Sequence, residues 1–252
     1  MKYSATLGFL LLLLFVQGCF TVDEGDPSNI SGLRILSIAS TPPETNGEDD
    51  LELSALVVDP HGNGRTIEYS WYLCTALLLA EVEGSPFEQS SCADLTFLEF
   101  LGTGETYEAT ALTEEGVPEG EEIQIPIVLW VQAGADLHRS LKRVTVTSSP
   151  ENGNNPVITG LDINGEDPGP SSAAQVSRSS SVSLRAMISD AGDENALSSQ
   201  FFVVGGGINN HYDGATAGTW QTPSQASDVI MYVVARDGRG GNAWLQRNVS
   251  IE

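Results

Sequence analysis

The sequence predicts an all-β protein built as two tandem antiparallel β-sandwiches behind a cleaved export signal. Three observations carry this reading. Short runs place an apolar residue at every second position and are rich in β-branched and aromatic side chains. Turn residues punctuate these runs about every 8 to 12 positions, and matching strands recur in both halves of the chain. Period two marks a strand with one buried face, because successive side chains point to opposite sides of a sheet.

At the N-terminus, Lys2 precedes an apolar run from Leu7 to Val16 that includes five consecutive leucines and ends at Gln17-Gly18-Cys19. One positive charge, a short apolar core and a small residue before the cut follow the secretory plan. The run is too short to cross a hydrocarbon core of roughly 30 Å as a mature helix. Residues 1–18 are therefore expected to be a signal peptide. Val16-Gln17-Gly18-Cys19 resembles the lipobox of bacterial lipoproteins. That resemblance implies diacylglycerol on the Cys19 sulfur and an acyl chain, such as palmitate, on its new amine, with the membrane as partner. Phe20 rather than Asp follows the cysteine, which under the sorting rule of some enteric bacteria implies the outer membrane. Residues 19–30 are polar, lack a sustained period and read as a tether.

Two folded units follow, 31–148 and 157–252, separated by a linker at 149–156 that is rich in Ser, Pro, Gly and Asn. In the first unit the clearest strands are 33–38, 51–58, 67–72, 125–132 and 144–147. In the second they are 157–163, 182–188, 200–204, 229–235 and 245–251. Asp59-Pro60-His61-Gly62-Asn63-Gly64 and Asp237-Gly238-Arg239-Gly240-Gly241 supply turn chemistry between them. Residues 76–82 suit one helical turn or two.

The halves align. Leu53-Ser54-Ala55-Leu56-Val57-Val58-Asp59 matches Leu184-Arg185-Ala186-Met187-Ile188-Ser189-Asp190, and Trp130-Val131-Gln132-Ala133 matches Tyr232-Val233-Val234-Ala235. The offset falls from about 131 residues at the first pair to about 102 at the second, so the first unit carries an insertion of about 29 residues around Cys74 to Glu122. The chain has 3 cysteines. If Cys19 carries lipid, Cys74 and Cys92 remain to form a disulfide in an oxidising compartment, fixing the insertion. Two free thiols or a metal pair is the alternative, and it has no histidine nearby.

Ala55-Leu56-Val57-Val58-Asp59-Pro60-His61-Gly62 followed by Tyr69-Ser70-Trp71, together with Tyr232 to Gly241, resembles the immunoglobulin-like modules of the polycystic-kidney and cadherin-like kind in exported bacterial proteins. The resemblance implies that Trp71 packs between the sheets; the second copy departs from this pattern, with Phe201-Phe202 where the Trp should stand. Trp130, inside an alternating strand, is also expected in the core.

Charge narrows the partners. With 34 Asp and Glu against 11 Lys and Arg, the chain repels nucleic acid. His61, His138 and His211 are scattered, and no Gly-x-Ser-x-Gly or His-Glu-x-x-His motif occurs. The expectation is a non-enzymatic spacer or protein-binding module in the cell envelope. An adhesin or glycan-binding module is the first alternative, and a hydrolase or its accessory subunit the second. Calcium is the candidate cofactor, through turn oxygens of Asp59, Asp190, Asp193, Glu194, Asn195 and Asp237, although such residues serve structural turns equally well. Trp220 and Trp244 are the candidate glycan-stacking residues, although similar modules place a Trp-x-x-Pro segment like Trp220 to Pro223 where the sandwich turns a corner, which implies packing.

Overall fold

The computed structural model describes residues 26–78, 92–109, 117–150, 153–169, 172–190, 197–209 and 216–252. Among these residues, no helix is long and apolar enough to cross a membrane. Nearly all the regular structure is strand, arranged as two immunoglobulin-like sandwiches in tandem.

In the first sandwich, β1 (Arg34–Thr41), β3 (Leu51–Val58) and β6 (Thr106–Ala109) form one sheet in the order β1-β3-β6. The facing sheet contains β2 (Glu44–Thr45), β8 (Asp136–Thr147), β7 (Glu122–Ala133), β4 (Glu68–Cys74) and β5 (Leu98–Thr103), in that order. β1 runs antiparallel to β3, whereas β2 runs parallel to β8. Pro42-Pro43 lies between them, and since proline cannot donate to a ladder, this is where the chain leaves one sheet for the other.

The second sandwich repeats the plan. One sheet holds β9 (Val157–Ile163), β11 (Ser181–Ser189), β13 (Gly207–Asn209) and β14 (Ala217–Gln221), ordered β13-β14-β11-β9. The other holds β10 (Ala174–Val176), β12 (Ser198–Val203), β15 (Ser227–Arg236) and β16 (Asn242–Ile251), ordered β10-β16-β15-β12. β10 pairs parallel with β16 just as β2 does with β8, so both copies divide their first strand between sheets.

Alternation explains the cores. On β11, Val182, Leu184 and Ala186 are buried while Ser181, Ser183 and Arg185 face water. Trp71 on β4 is fully buried and its indole N–H donates to the Gly104 carbonyl at 2.8 Å. Without that partner the buried donor would cost about 1–3 kcal/mol. The second copy is filled differently. Phe201 enters the core, but Phe202 points to the opposite face, and the buried indole is Trp220 on β14, donating to Gly205 O at 3.3 Å.

Cys74 and Cys92 are joined. The bridge lies not between the sheets but on the outer face of the five-stranded sheet, in a small cluster with Ala76, Leu77 and Val128. Residues 75–78 form one helical turn, and 79–82 fall outside the described residues. Trp130 is on this outer face too, half-buried beside Tyr72 and beneath the Arg139 guanidinium, rather than in the sandwich core.

The sandwiches pack face to face. A third apolar cluster joins Leu36 and Val58 of the first to Phe202, Tyr232 and Val234 of the second, with Leu56, Ile230 and Trp244 at its margin. These side chains alternate with the inward-facing ones, so they come from the outer faces of two sheets. A register shift between Ile35 and Ser37 turns Leu36 outward. The four sheets therefore form four layers, with the β1-β3-β6 sheet against the β10-β16-β15-β12 sheet in the middle.

Two segments expected as connections belong to this packing. Residues 26–30, placed in the tether by their polarity, are laid along the second sandwich. Ile30 N–H donates to Val203 O at 2.8 Å, and Val203 N–H to Ser28 O at 2.9 Å. Polar side chains serve as backbone partners here: Asp26 accepts from Ser28 N and Ile208 N, and Asn29 Oδ1 accepts from Gly205 N. In the linker, Asn155 Nδ2 donates to Ser40 O at 2.8 Å while its Oδ1 accepts from Asn242 N at 2.8 Å, bridging the two domains.

Candidate binding site at the domain junction

The β15–β16 hairpin turns at Asp237-Gly238-Arg239-Gly240-Gly241 and points at the first domain. Asp237 is 1% exposed, and its Oδ1 accepts from the amides of Arg239 and Gly241, both at 2.8 Å. This clasp needs glycines. Gly240 sits at φ +102°, and a Cβ on Gly241 would collide with the Asp237 carboxylate.

Three contacts carry the hairpin across the junction. Arg239 Nη2 and Nε reach Glu44 Oε1 at 3.0 and 3.2 Å. Asn242 Nδ2 donates to Ile38 O at 3.0 Å. Lys142 Nζ donates to Gly240 O. Lys142 follows the inward alternation of β8 that buries Val144 and Val146, but lies nearer the start of that strand, opposite β1. Its ammonium thus emerges at the sandwich mouth, only 7% exposed.

Beside these contacts is a cavity of about 340 Å³ lined by Leu36 to Ile38 of β1, Ser140 to Arg143 of β8, and the hairpin with Arg236 at its base. Lys142, Arg143 and Arg236 all line it, and no Asp or Glu does. Burial pulls the Lys142 ammonium down to about 8, against the attraction of Asp237 and with repulsion from Arg236 adding to the fall. Burial also lowers Arg236, whose Nη1 donates to Gln200 Oε1 at 2.7 Å.

The residues singled out from sequence are not assembled here, apart from Asp237. Cys19, Asp193, Glu194 and Asn195 lie outside the described residues. Asp59 pairs with Arg65 at 2.6 Å, and Arg65 in turn holds Asp136 at 2.7 Å. Asp190 stands apart, with one buried carboxylate oxygen lacking a hydrogen-bond partner. The calcium candidates are thus not brought together: Asp59, Asp190 and Asp237 follow the ends of three different strands, β3, β11 and β15. Among the described residues no group of three or more His, Cys, Asp or Glu is placed to hold a metal ion. Trp220 is core and Trp244 packs at the margin of the interdomain cluster, so neither presents a free ring for stacking on a sugar.

Neither Lys142 nor Arg236 belongs to a recognisable sequence motif, yet the distribution of charge along the chain carries a signal. Of the 11 Lys and Arg, Arg139, Lys142, Arg143, Arg236 and Arg239 fall in two short windows of an otherwise acidic chain.

No family model matches the sequence, and no curated protein matches it. Among solved structures, the chain is similar to a chimeric titin Z1Z2, at 11% identity over 88% of this chain and 99% of that one, with a TM-score of 0.26. It is similar to the N-terminal Ig1-2 module of the Drosophila receptor protein tyrosine phosphatase DLAR, at 11% identity over 88% and 100%, with a TM-score of 0.30. A nucleoside hydrolase-related protein from Saccharophagus degradans, associated with carbohydrate metabolism, shares 24% identity over 42% of this chain and 28% of its own, with a TM-score of 0.30. At these scores the likenesses carry no functional argument, and the fold rests on the strand orders themselves.

Proposed function

We propose that this chain is a lipid-anchored protein of the bacterial cell envelope, most simply of the outer membrane, whose two immunoglobulin-like domains act as one non-enzymatic binding module. The observation that carries the reading is the apolar contact between the domains. A spacer of independent beads leaves its outer sheet faces in water. Here those faces are buried against each other and fastened by Asn155, Arg239 and residues 26–30. Such a body presents loops and clefts in fixed relation, as recognition requires.

The anchor is supported by the apolar run ending at Cys19. More than one acyl chain makes attachment stable, since a single chain binds only marginally. Substituting Cys19→Ser in cells fed labelled palmitate should abolish lipid labelling and move the protein to the soluble fraction; unchanged membrane retention would sink the anchor. The binding role is tested by capture from detergent-solubilised envelope with the acylated protein. A partner lost on disrupting the junction supports a module, whereas no specific partner favours a passive spacer. The glycan reading draws no support from Trp220 or Trp244, since both are engaged in packing.

A further inference from the structure

We propose that the cavity at the domain junction is a binding site for a small oxyanion, held by Lys142 and Arg143 from the first domain and Arg236 from the second. This rests on reading the junction as a fixed body, and is independent of the lipid anchor.

Charge is the first argument. The whole chain carries a formal net charge of −23, yet three cations and no carboxylate line this one cavity. A cavity lined at random in such a chain would be acidic. Desolvation is the second. Lys142 is 7% exposed, and its hydrogen bond goes to a neutral carbonyl, that of Gly240. Among the described residues no ion pair is made by Lys142, Arg143 or Arg236. Asp237 attracts the ammonium but its Oδ1 holds the hairpin amides. A cation taken out of water without a paired anion is costly, and a bound oxyanion would supply the missing partner with charge-assisted hydrogen bonds. Size is the third. About 340 Å³ lies at the small end of ligand sites, which suits a compact anion rather than a polymer. Ser37, Ser140 and Asn242 add neutral polar groups to the lining, so the cavity offers both charge and orientation.

A carboxylate and a phosphate share this chemistry, and titration calorimetry on the full acylated chain in detergent micelles separates them. Citrate and inorganic phosphate are titrated at constant ionic strength, with sodium chloride as the control. Saturable one-site binding of either is expected, weakened about tenfold or more by Lys142→Met or Arg236→Gln. Arg185→Gln, on the exposed face of β11, should leave it unchanged. Where Lys142→Met fails to fold, exposed Arg143→Gln serves in its place. Saturable citrate binding alone identifies a carboxylate site and saturable phosphate binding alone a phosphate site. Binding of neither anion overturns the proposal, as does a loss with Arg185→Gln equal to that with Lys142→Met. A chain that binds the anion but captures no envelope partner retains this site while losing the protein-binding reading.

Discussion

Lys142 shows how one residue can link fold and site. Its ammonium is buried at the sandwich mouth, facing Asp237, Arg236 and the Gly240 carbonyl, and its affinity for a proton falls from 10.5 to about 8. Below pH 8 it is charged in both folded and unfolded chains, and its burial weighs against folding. Between pH 8 and 10.5 the folded chain gives up this proton while the unfolded chain keeps it, so stability contributed by this group rises with pH. Denaturant titrations should show the unfolding free energy of the native chain gaining on that of Lys142→Met by about 3 kcal/mol across this window. A flat difference would mean that Lys142 is hydrated. At this scale the sequence revealed partners that parity or alternation dictates, such as Cys74 with Cys92 and the burial of Trp71. It did not display the hydrogen bond of Trp220, whose indole finds a carbonyl only after β14 is placed in its sheet.

Among elements, the long strands were legible because each buries a face. β3, β9, β11 and β16 carry their period openly. β2, β6, β10 and β13 were not legible, since two to four residues are too few to display a period and their neighbours position them. The insertion after β4 was located by the shift in repeat spacing, and its role follows from its place. The Cys74–Cys92 bridge pins it to the outer face of the five-stranded sheet, away from the interdomain contact. Replacing both cysteines by alanine should destabilise the first domain by about 3 kcal/mol in the chain-entropy account. Urea unfolding followed through Trp71 would read this. No change would mean that the bridge contributes nothing to the stability of the first domain.

For the whole molecule, the defining feature is the apolar seam between outer faces. The continuous apolar run of β15, Val229 to Ala235, was a visible hint, because a strand with water on one face alternates and one covered on both faces does not. What covers the second face belongs to tertiary structure and leaves no periodic trace. Val234 lies in the seam and outside both sandwich cores. Val234→Asp places an unpaired charge there, so the domains should part while each keeps its strands. Small-angle scattering should then show a larger radius of gyration, with unchanged far-ultraviolet dichroism and a red-shifted Trp244 emission. An unaltered radius would count against the seam as the fastening.

Residues 26–30 bring a further consequence, one of timing. Asn29 and Asp26 reach partners 176 and 182 positions later, so a segment ahead of the first domain has its mate in the second. Contacts this distant along the chain form slowly, because a very long loop must close before they yield any return. The first domain can acquire its own core from nearer neighbours and then wait with Leu36, Leu56 and Val58 uncovered. In that interval the half-made protein carries a sticky face, and β12, once formed, ends the wait by offering Val203 to the N-terminal segment and Phe202 to the seam.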